Sequence, residues 1–251
     1  GISNASQVTH SLRALAARGQ TLRKNALVKQ LVFFKQWGAE ACGTLAHPHM
    51  QVCTLPIISG YLQGRLRQHC AYQKRFGSAA VKTNFVDLVT GKDFGSARLV
   101  KATEHFVASC PYAKHARGRV VIAPRRHVAR FEDSSEEELR DLGAILQLVM
   151  AAIYRVYDDP AYNLFWESAP PEHALDTNSG HDAAEIDKCF CWTLHVRIPR
   201  KIPGFSLASG IHISSFLPED TAKQLREAIS LEEASPLADE LLPKVKTEKA
   251  H

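Results

Sequence analysis

Apolar residues recur at helical spacing over residues 6–28, where Val8, Leu12, Leu15, Leu22 and Ala26 share one face. The next run, Leu31-Val32-Phe33-Phe34, is too short for a helix and rich in β-branched and aromatic residues, so it reads as a buried strand. A turn-rich stretch from Gly38 to Ala46 leads to a second strand, His47–Leu55, which Pro56 ends. Residues 57–96 are the least regular part, with one short helix expected near Tyr61–Arg75. Strands follow at Arg98–Lys101, Glu104–Ser109 and Arg119–Ala123. The clearest helix comes next. Ser134 or Ser135 caps it, Glu137 and Glu138 are placed for a capping box, and Asp159-Pro160 stops it. Its stripe is Leu139, Leu142, Ile145, Leu146, Val149, Ile153 and Val156. Strands Tyr162–Glu167 and Phe190–Ile198 flank a polar loop, Ser168–Lys188, and Gly210–Phe216 reads as a further strand. Pro218 opens a last short helix with Leu225 and Ile229 inward. From Glu232 onward the chain is charged and Pro-punctuated, the composition of a mobile tail.

The order helix, strand, strand therefore occurs twice, over residues 6–56 and 134–199. Three strands precede the second helix and none precedes the first. This predicts an α+β chain of mainly antiparallel sheet with a degenerate internal repeat. The expected division is an incomplete first half over 1–60, a connecting segment over 61–96, a complete second half over 97–230 and a charged tail over 231–251.

Composition narrows the class without naming a function. Hydrophobic residues at 45% and charged residues at 23% exclude a disordered tail, a collagen-like chain and a small disulfide-stapled scaffold. The net charge of +5 is scattered, with no long basic run, so it suits an anionic substrate better than a dedicated nucleic-acid surface. The six cysteines, Cys42, Cys53, Cys70, Cys110, Cys189 and Cys191, contain no C-x-x-C pair. They read as reduced thiols of an intracellular protein, cytoplasmic or of the mitochondrial matrix. The start, Gly1-Ile2-Ser3-Asn4, has neither Met nor an apolar signal core and reads as processed or trimmed. No apolar run is long enough to span a membrane, so no membrane partner is expected.

One cluster stands out among twelve histidines: His47-Pro48-His49-Met50-Gln51, with Gly38 and Gly43-Thr44 just upstream. On a strand, positions 47, 49 and 51 face the same way. Two imidazoles and an amide would then converge over a loop whose glycines let backbone N–H groups approach an anion. A neutral imidazole can attack phosphorus, provided its other ring nitrogen donates to a fixed acceptor that sets the tautomer. The nearby amide can bind a phosphoryl oxygen and stabilise developing charge. The same spacing also suits a pair of metal ligands or the polar face of an exposed strand.

The stretch from Phe34 to Gln51, followed by Leu55-Pro56, resembles the galactose-1-phosphate uridylyltransferase family. The branch that includes ADP-glucose phosphorylase, within the histidine-triad superfamily, is the most similar in pattern. The resemblance continues through Tyr112-Ala113, Ile122 to His127, Asp159 to Asn163, Trp192, Gly204-Phe205, Ser209-Gly210 and Pro218-Glu219 to Leu225-Arg226. It implies two histidine-triad-like halves and a double displacement, in which a nucleoside monophosphate is held on histidine and passed to a second phosphate. Carried over by residue, His49 is the nucleophile and Gln51 the catalytic, phosphate-binding amide. Gly43, Thr44 and Gln36 complete the phosphate contacts, Thr44 standing where the family usually has Ser. His47, His127 and Cys191 fall at positions used for zinc in the family or beside them. They are fewer than the four ligands of a closed site, so a zinc cofactor is implied only weakly.

Departures from the family pattern bear on activity. Gln36 stands where Asn is usual, and a displacement of ~1 Å can cost ~100-fold in rate. The second C-x-x-C position, near Thr83–Val86, carries no cysteine, and Ser206 and Ser214 replace residues that hold the sugar phosphate in the family. Two classes of function follow. One is a sugar-1-phosphate nucleotidyltransferase or nucleotide-sugar phosphorylase, taking nucleotide-sugars or sugar phosphates and working as a homodimer or in a larger assembly. The other is an inactive descendant serving as a subunit of a larger complex that contains RNA, in mitochondria for example. His195 and His212 lie on expected strands of the second half, either as pocket residues or as half-exposed strand histidines.

Overall fold

The computed structural model describes residues 4–77, 96–112, 118–175, 182–211, 213–214 and 216–234. Asn4 opens helix α1 (Ala5–Leu22) by accepting a hydrogen bond from the Gln7 amide at 2.8 Å, which satisfies one of the orphan donors of the first turn. The helix ends short of the expected residue 28 because Asn25 turns the chain. Its side chain accepts from the Leu27 amide at 3.0 Å, and its carbonyl accepts from the Val28 amide at 2.9 Å. Strand β1 (Gln30–Trp37) runs three residues beyond its apolar core, because ladder pairing carries Lys35, Gln36 and Trp37 onward.

Strand β2 covers only Gln51–Leu55, and helix α2 (Gly60–Phe76) is capped by the Ser59 hydroxyl. Strands β3 (Leu99–Ala102), β4 (Phe106–Ser109) and β5 (Val120–Pro124) follow. Helix α3 (Glu136–Tyr157) has the expected capping box: the Ser135 hydroxyl accepts from the Glu138 amide at 3.2 Å, and the Glu138 carboxylate accepts from the Ser135 amide at 2.7 Å. Arg126 grips the same carboxylate at 2.6 and 2.8 Å. Burial pushes the Glu138 pKa up, but the Arg126 guanidinium and the Ser135 amide outweigh it and hold it below the ordinary value.

Strand β6 spans Tyr162–Glu167 as expected. The loop after it carries a further helix, α4 (Ala183–Cys189), before strand β7 (Thr193–Arg197). No strand forms at the described positions of 210–216. Helix α5 (Gly204–Ser209) ends there with Gly210 left-handed at φ 69°, and the Ser214 hydroxyl donates to the Phe216 carbonyl. Helix α6 (Pro218–Ala234) is longer than the pattern suggested, because Glu232 and Glu233 are held by Arg155 and Lys101. The expected tail beyond residue 234, Thr83–Val86 and His212 lie outside the described residues.

Among the described residues seven strands join one antiparallel sheet in the order β2-β1-β6-β7-β5-β4-β3. The two helix–strand–strand repeats thus meet at its centre, where β1 pairs with β6 and α1 crosses α3. Helices α1, α3 and α6 cover one face over a core that includes Leu12, Phe33, Phe131, Leu142, Trp192 and Leu225. A second cluster joins α2 to α4 through Leu62, Leu66, Cys70, Ile186, Cys189 and Phe190. Cys70 and Cys189 form a disulfide across it, which corrects the expectation of reduced thiols at this pair. The two lie 119 residues apart and meet only when α2 docks on α4. Among the described residues no helix is long and apolar enough to cross a membrane.

Gly143 sets how closely α1 and α3 approach. A methyl group there would fall on the Thr9 hydroxyl and stand 3.1 Å from Thr9 Cα, a backbone atom that cannot step aside. Gly143→Ala is expected to lower unfolding free energy by about 1–3 kcal/mol, despite the better helix propensity of alanine. Urea unfolding of the variant measures this, and wild-type stability would show that the crossing is loose.

His69 of α2 is 5% exposed, with its ring 4.8 Å from that of Phe190. Burial, with help from the Arg65 charge, lowers its pKa from 6.5 to about 4, against opposing effects of Glu167 and the Cys189 backbone. The folded chain therefore holds this imidazole neutral. Between pH 6.5 and about 4 the unfolded chain takes up a proton that the folded chain refuses, so stability is lost as pH falls through that window. Wild type should lose up to about 3 kcal/mol more than His69→Gln between pH 7.5 and 4.5. Parallel losses in paired urea titrations would count against this assignment.

Candidate functional site

Alternation along the central strands sorts their side chains onto two faces. Leu31 and Phe33 of β1, with Leu164 and Trp166 of β6, enter the core under α1 and α3. The opposite face therefore carries Phe34 and Gln36 of β1, and cross-strand pairing adds Gln51 (opposite Phe34), Phe165 (opposite Phe34) and Asn163 (opposite Gln36). Strand β7 extends the row, with His195 opposite Phe165 and Arg197 opposite Asn163. The structure thus brings Gln36 and Gln51 to one face, whereas the motif had been expected to put His47 and His49 on a strand face with Gln51.

His47 and His49 precede β2 instead of lying on it. Pro48 between them has no N–H to give to a ladder, and the β1–β2 pairing ends at Phe34 and Gln51 although β1 itself continues to Trp37. A different restraint orients His49. Its Nδ1 lies 2.8 Å from the His47 carbonyl oxygen. A carbonyl can only accept, so Nδ1 carries a proton, and in the neutral ring the lone pair is on Nε2. The His49 ring is half-buried, and His47 is exposed. Residues Pro48, His49 and Met50 also wall a cavity of about 80 Å³ against Lys35, Gln147, Met150 and Tyr162. Burial lowers the Lys35 pKa there and raises that of Tyr162.

The loop between the strands is drawn in on itself. Gly38 has φ +81°, and a side chain there would collide with Ala161 at 2.8 Å, so only glycine fits. The Gly43 amide donates to the Gly38 carbonyl at 2.9 Å, and the Gln36 amide donates to the Ala41 carbonyl at 3.0 Å. Both donors expected to meet phosphate are thus spent inside the loop, while Thr44 stays exposed beside them.

The expected zinc positions do not assemble. His127 donates from Nε2 to the Asp187 carbonyl at 2.8 Å. Cys191 is buried beside the Val128 backbone, and burial pushes its thiol up to about 11, away from the thiolate that zinc needs. His47 is exposed on the loop before β2, and among the described residues no three His, Cys, Asp or Glu side chains converge to hold a metal ion.

Two features escaped the sequence reading. The first is a closed polar cluster under α2. Glu167, 5% exposed, accepts from the Tyr61 hydroxyl and from Arg65 Nε at 3.0 Å, and His195 Nε2 lies 3.5 Å away. Burial works to raise the Glu167 pKa, but these partners outweigh it and hold the carboxyl below its ordinary range. Burial and the Glu167 charge push Tyr61 up to about 12. Thr193 lies 2.9 Å from His195 Nε2, and the Phe165 ring stacks on the imidazole at 4.8 Å. His195 is therefore a buried partner in a closed cluster. The second feature is an open recess of about 330 Å³ lined by Phe34, Gln36, Asn163, Phe165, Arg197 and Arg200. The alternation His195-Val196-Arg197 was the available signal for it, since it places Arg197 on the face of His195.

No family model matches the chain. It is 25% identical to an ADP-glucose phosphorylase of Arabidopsis thaliana over 221 residues, 86% of this chain and 57% of that protein. Against a galactose-1-phosphate uridylyltransferase of Thermotoga maritima it is 23% identical over 218 residues, 84% of this chain and 64% of the relative. The chain thus spans about three fifths of the length of these two relatives. Among solved structures, an Arabidopsis thaliana ADP-glucose phosphorylase with bound ADP-glucose superposes with a TM-score of 0.76 at 23% identity, covering 90% of this chain and 66% of that one. A uridylyltransferase gives the same TM-score at 20% identity, covering 91% and 71%. In sequence over most of its length, and in fold, this chain resembles the galactose-1-phosphate uridylyltransferase family, including its ADP-glucose phosphorylase branch.

Proposed function

We propose that this chain carries nucleotidyltransferase or nucleotide-sugar phosphorylase chemistry, with His49 as the nucleophile. The observation that carries the reading is the hydrogen bond from His49 Nδ1 to the His47 carbonyl. In the neutral ring it puts the lone pair on Nε2, with the imidazole held by a backbone group. In the first displacement Nε2 attacks the α-phosphorus of a nucleotide-sugar. The N–P bond forms, and the P–O bond to the sugar phosphate breaks with its electron pair leaving on that oxygen. The positive charge that develops on the ring is stabilised through Nδ1–H by the His47 carbonyl. Gln51 and the Thr44 hydroxyl are the groups assigned to the phosphoryl oxygens, on the resemblance of the motif to the family. In the second displacement a phosphate oxygen attacks the same phosphorus and His49 leaves as neutral imidazole. The names of the relatives support this class of reaction.

A second reading, a non-catalytic descendant held in a larger assembly, has one observation in its favour. The Gln36 amide and the Gly43 N–H are already satisfied within their own loop, so two expected phosphate donors would have to be released before they could serve.

Incubation of the chain with ADP-glucose or UDP-glucose, followed by intact-mass measurement, decides between the two. The expected result is an adduct of one nucleoside monophosphate, acid-labile and absent from His49→Ala. Gln51→Ala should slow its formation by about 100-fold, the scale of losing one donor to a developing oxyanion. Absence of any adduct with both nucleotide-sugars would remove the enzyme reading.

A further inference from the structure

A lysine on the helix side of the sheet is buried without a counter-charge. Lys35 continues the inward series of β1 after Leu31 and Phe33, and it is 6% exposed. Among the described residues its ammonium makes no ion pair and no hydrogen bond. Its Nζ lies 5.7 Å from the centroid of the Trp37 ring. Burial lowers its pKa, and no neighbouring carboxylate acts against that. An ammonium taken out of water unpaired is costly, and either a lost proton or a bound anion relieves the cost.

The surroundings favour the anion. Lys35 lines the cavity of about 80 Å³ together with Ser11 of α1, Gln147 of α3, Tyr162 of β6 and His49. The described lining contains no carboxylate. Tyr162 is itself 6% exposed, and its hydroxyl has no hydrogen-bond partner among the described residues. The Ser11 hydroxyl is already spent, since it donates to the Gln7 carbonyl at 3.0 Å. The donors left in the wall are the Lys35 ammonium, the Tyr162 hydroxyl and the Gln147 amide, each from a different element. The volume exceeds what a single water needs. Donors from three elements suit an oxyanion better than a halide, because each oxygen can take a donor of its own.

We propose that this cavity binds a small inorganic oxyanion, with Lys35 as its counter-charge and Tyr162 and Gln147 as its hydrogen-bond donors. It lies on the helix side of the sheet, opposite the face of Gln36 and Gln51, so its ion is distinct from the phosphoryl groups of the proposed reaction. The site goes beyond the reading of His49 and stands whether or not that histidine is a nucleophile. Because His49 is part of the wall, a bound ion ties its segment to β1 and α3.

Sulfate is the probe, since it is tetrahedral and takes no part in the proposed transfer. The whole chain is titrated with sodium sulfate and, at matched ionic strength, with sodium chloride, by calorimetry and by tryptophan emission. Sulfate should bind saturably and change the emission, because Trp37 sits beside Lys35, and chloride should do neither. Lys35→Met should weaken sulfate binding about tenfold or more, and Tyr162→Phe about threefold. Arg200→Gln, on the other face of the sheet, should change it by no more than about twofold. If Lys35→Met does not fold, Tyr162→Phe and Gln147→Leu carry the same comparison. A wild type that binds no sulfate, chloride binding equal to that of sulfate, or folded variants that bind as wild type does would each overturn the site. Intact-mass measurement with ADP-glucose and UDP-glucose separates the two proposals. Sulfate binding that depends on these residues, without a histidine adduct, leaves the site and removes the reading of His49. An adduct without sulfate binding does the reverse.

Discussion

Four antiparallel residue pairs between β1 and β6, from Phe34↔Phe165 to Trp37↔Tyr162, hold the molecule together. Without them β1 and β2 would be an isolated hairpin, which is marginal in water. With them the hairpin becomes the edge of a seven-stranded sheet, and the face bearing Gln51 becomes continuous with that bearing Arg197. The seam depends in turn on the helices behind it. Gly143 lets α3 come within a side chain's width of Thr9 on α1, so the two helices can sit over two strands that are direct neighbours.

The two faces of this sheet solve different problems. One buries aromatic and aliphatic side chains under three helices, and there each strand contributes every second residue. The other carries polar groups that must each find a partner, because an unpaired buried charge costs more than the contact it replaces. Under α2 Glu167 meets that requirement from within, through Tyr61 and Arg65. Farther along the same face, where among the described residues no helix lines the recess at Asn163 and Arg197, it is left to the solvent or to a ligand.

The role proposed for His49 rests on a local device. The His47 carbonyl, two residues back, selects the tautomer through a single hydrogen bond. Pro48 between them keeps the chain out of the ladder, so the imidazole is presented at the end of β2 and not within it. The loop that precedes it is tight for the same reason that it is short: Gly38 is pressed against Ala161 and closes on Gly43.

Much of this was legible in the order of residues. The stripe from Leu139 to Ile153, the Ser135–Glu138 capping box and the bounds of Tyr162–Glu167 follow from periodicity and end signals, because these depend on neighbours a few residues apart. The H-P-H-x-Q element and its upstream glycines marked the candidate site for the same reason. Other features depend on residues far apart in the chain. Cys70 and Cys189, Glu167 and Arg65, and Gln36 and Arg197 are brought together only by the sheet order and by the docking of α2 on α4. Strand pairing also decided where β1 continued and where β2 began, since a polar residue such as Lys35 or Gln36 joins a strand when its neighbour offers a ladder. Local sequence thus determined the helices, their caps and the candidate histidine motif. Only the tertiary structure decided which polar groups face one another, because that depends on register across strands more than a hundred residues apart.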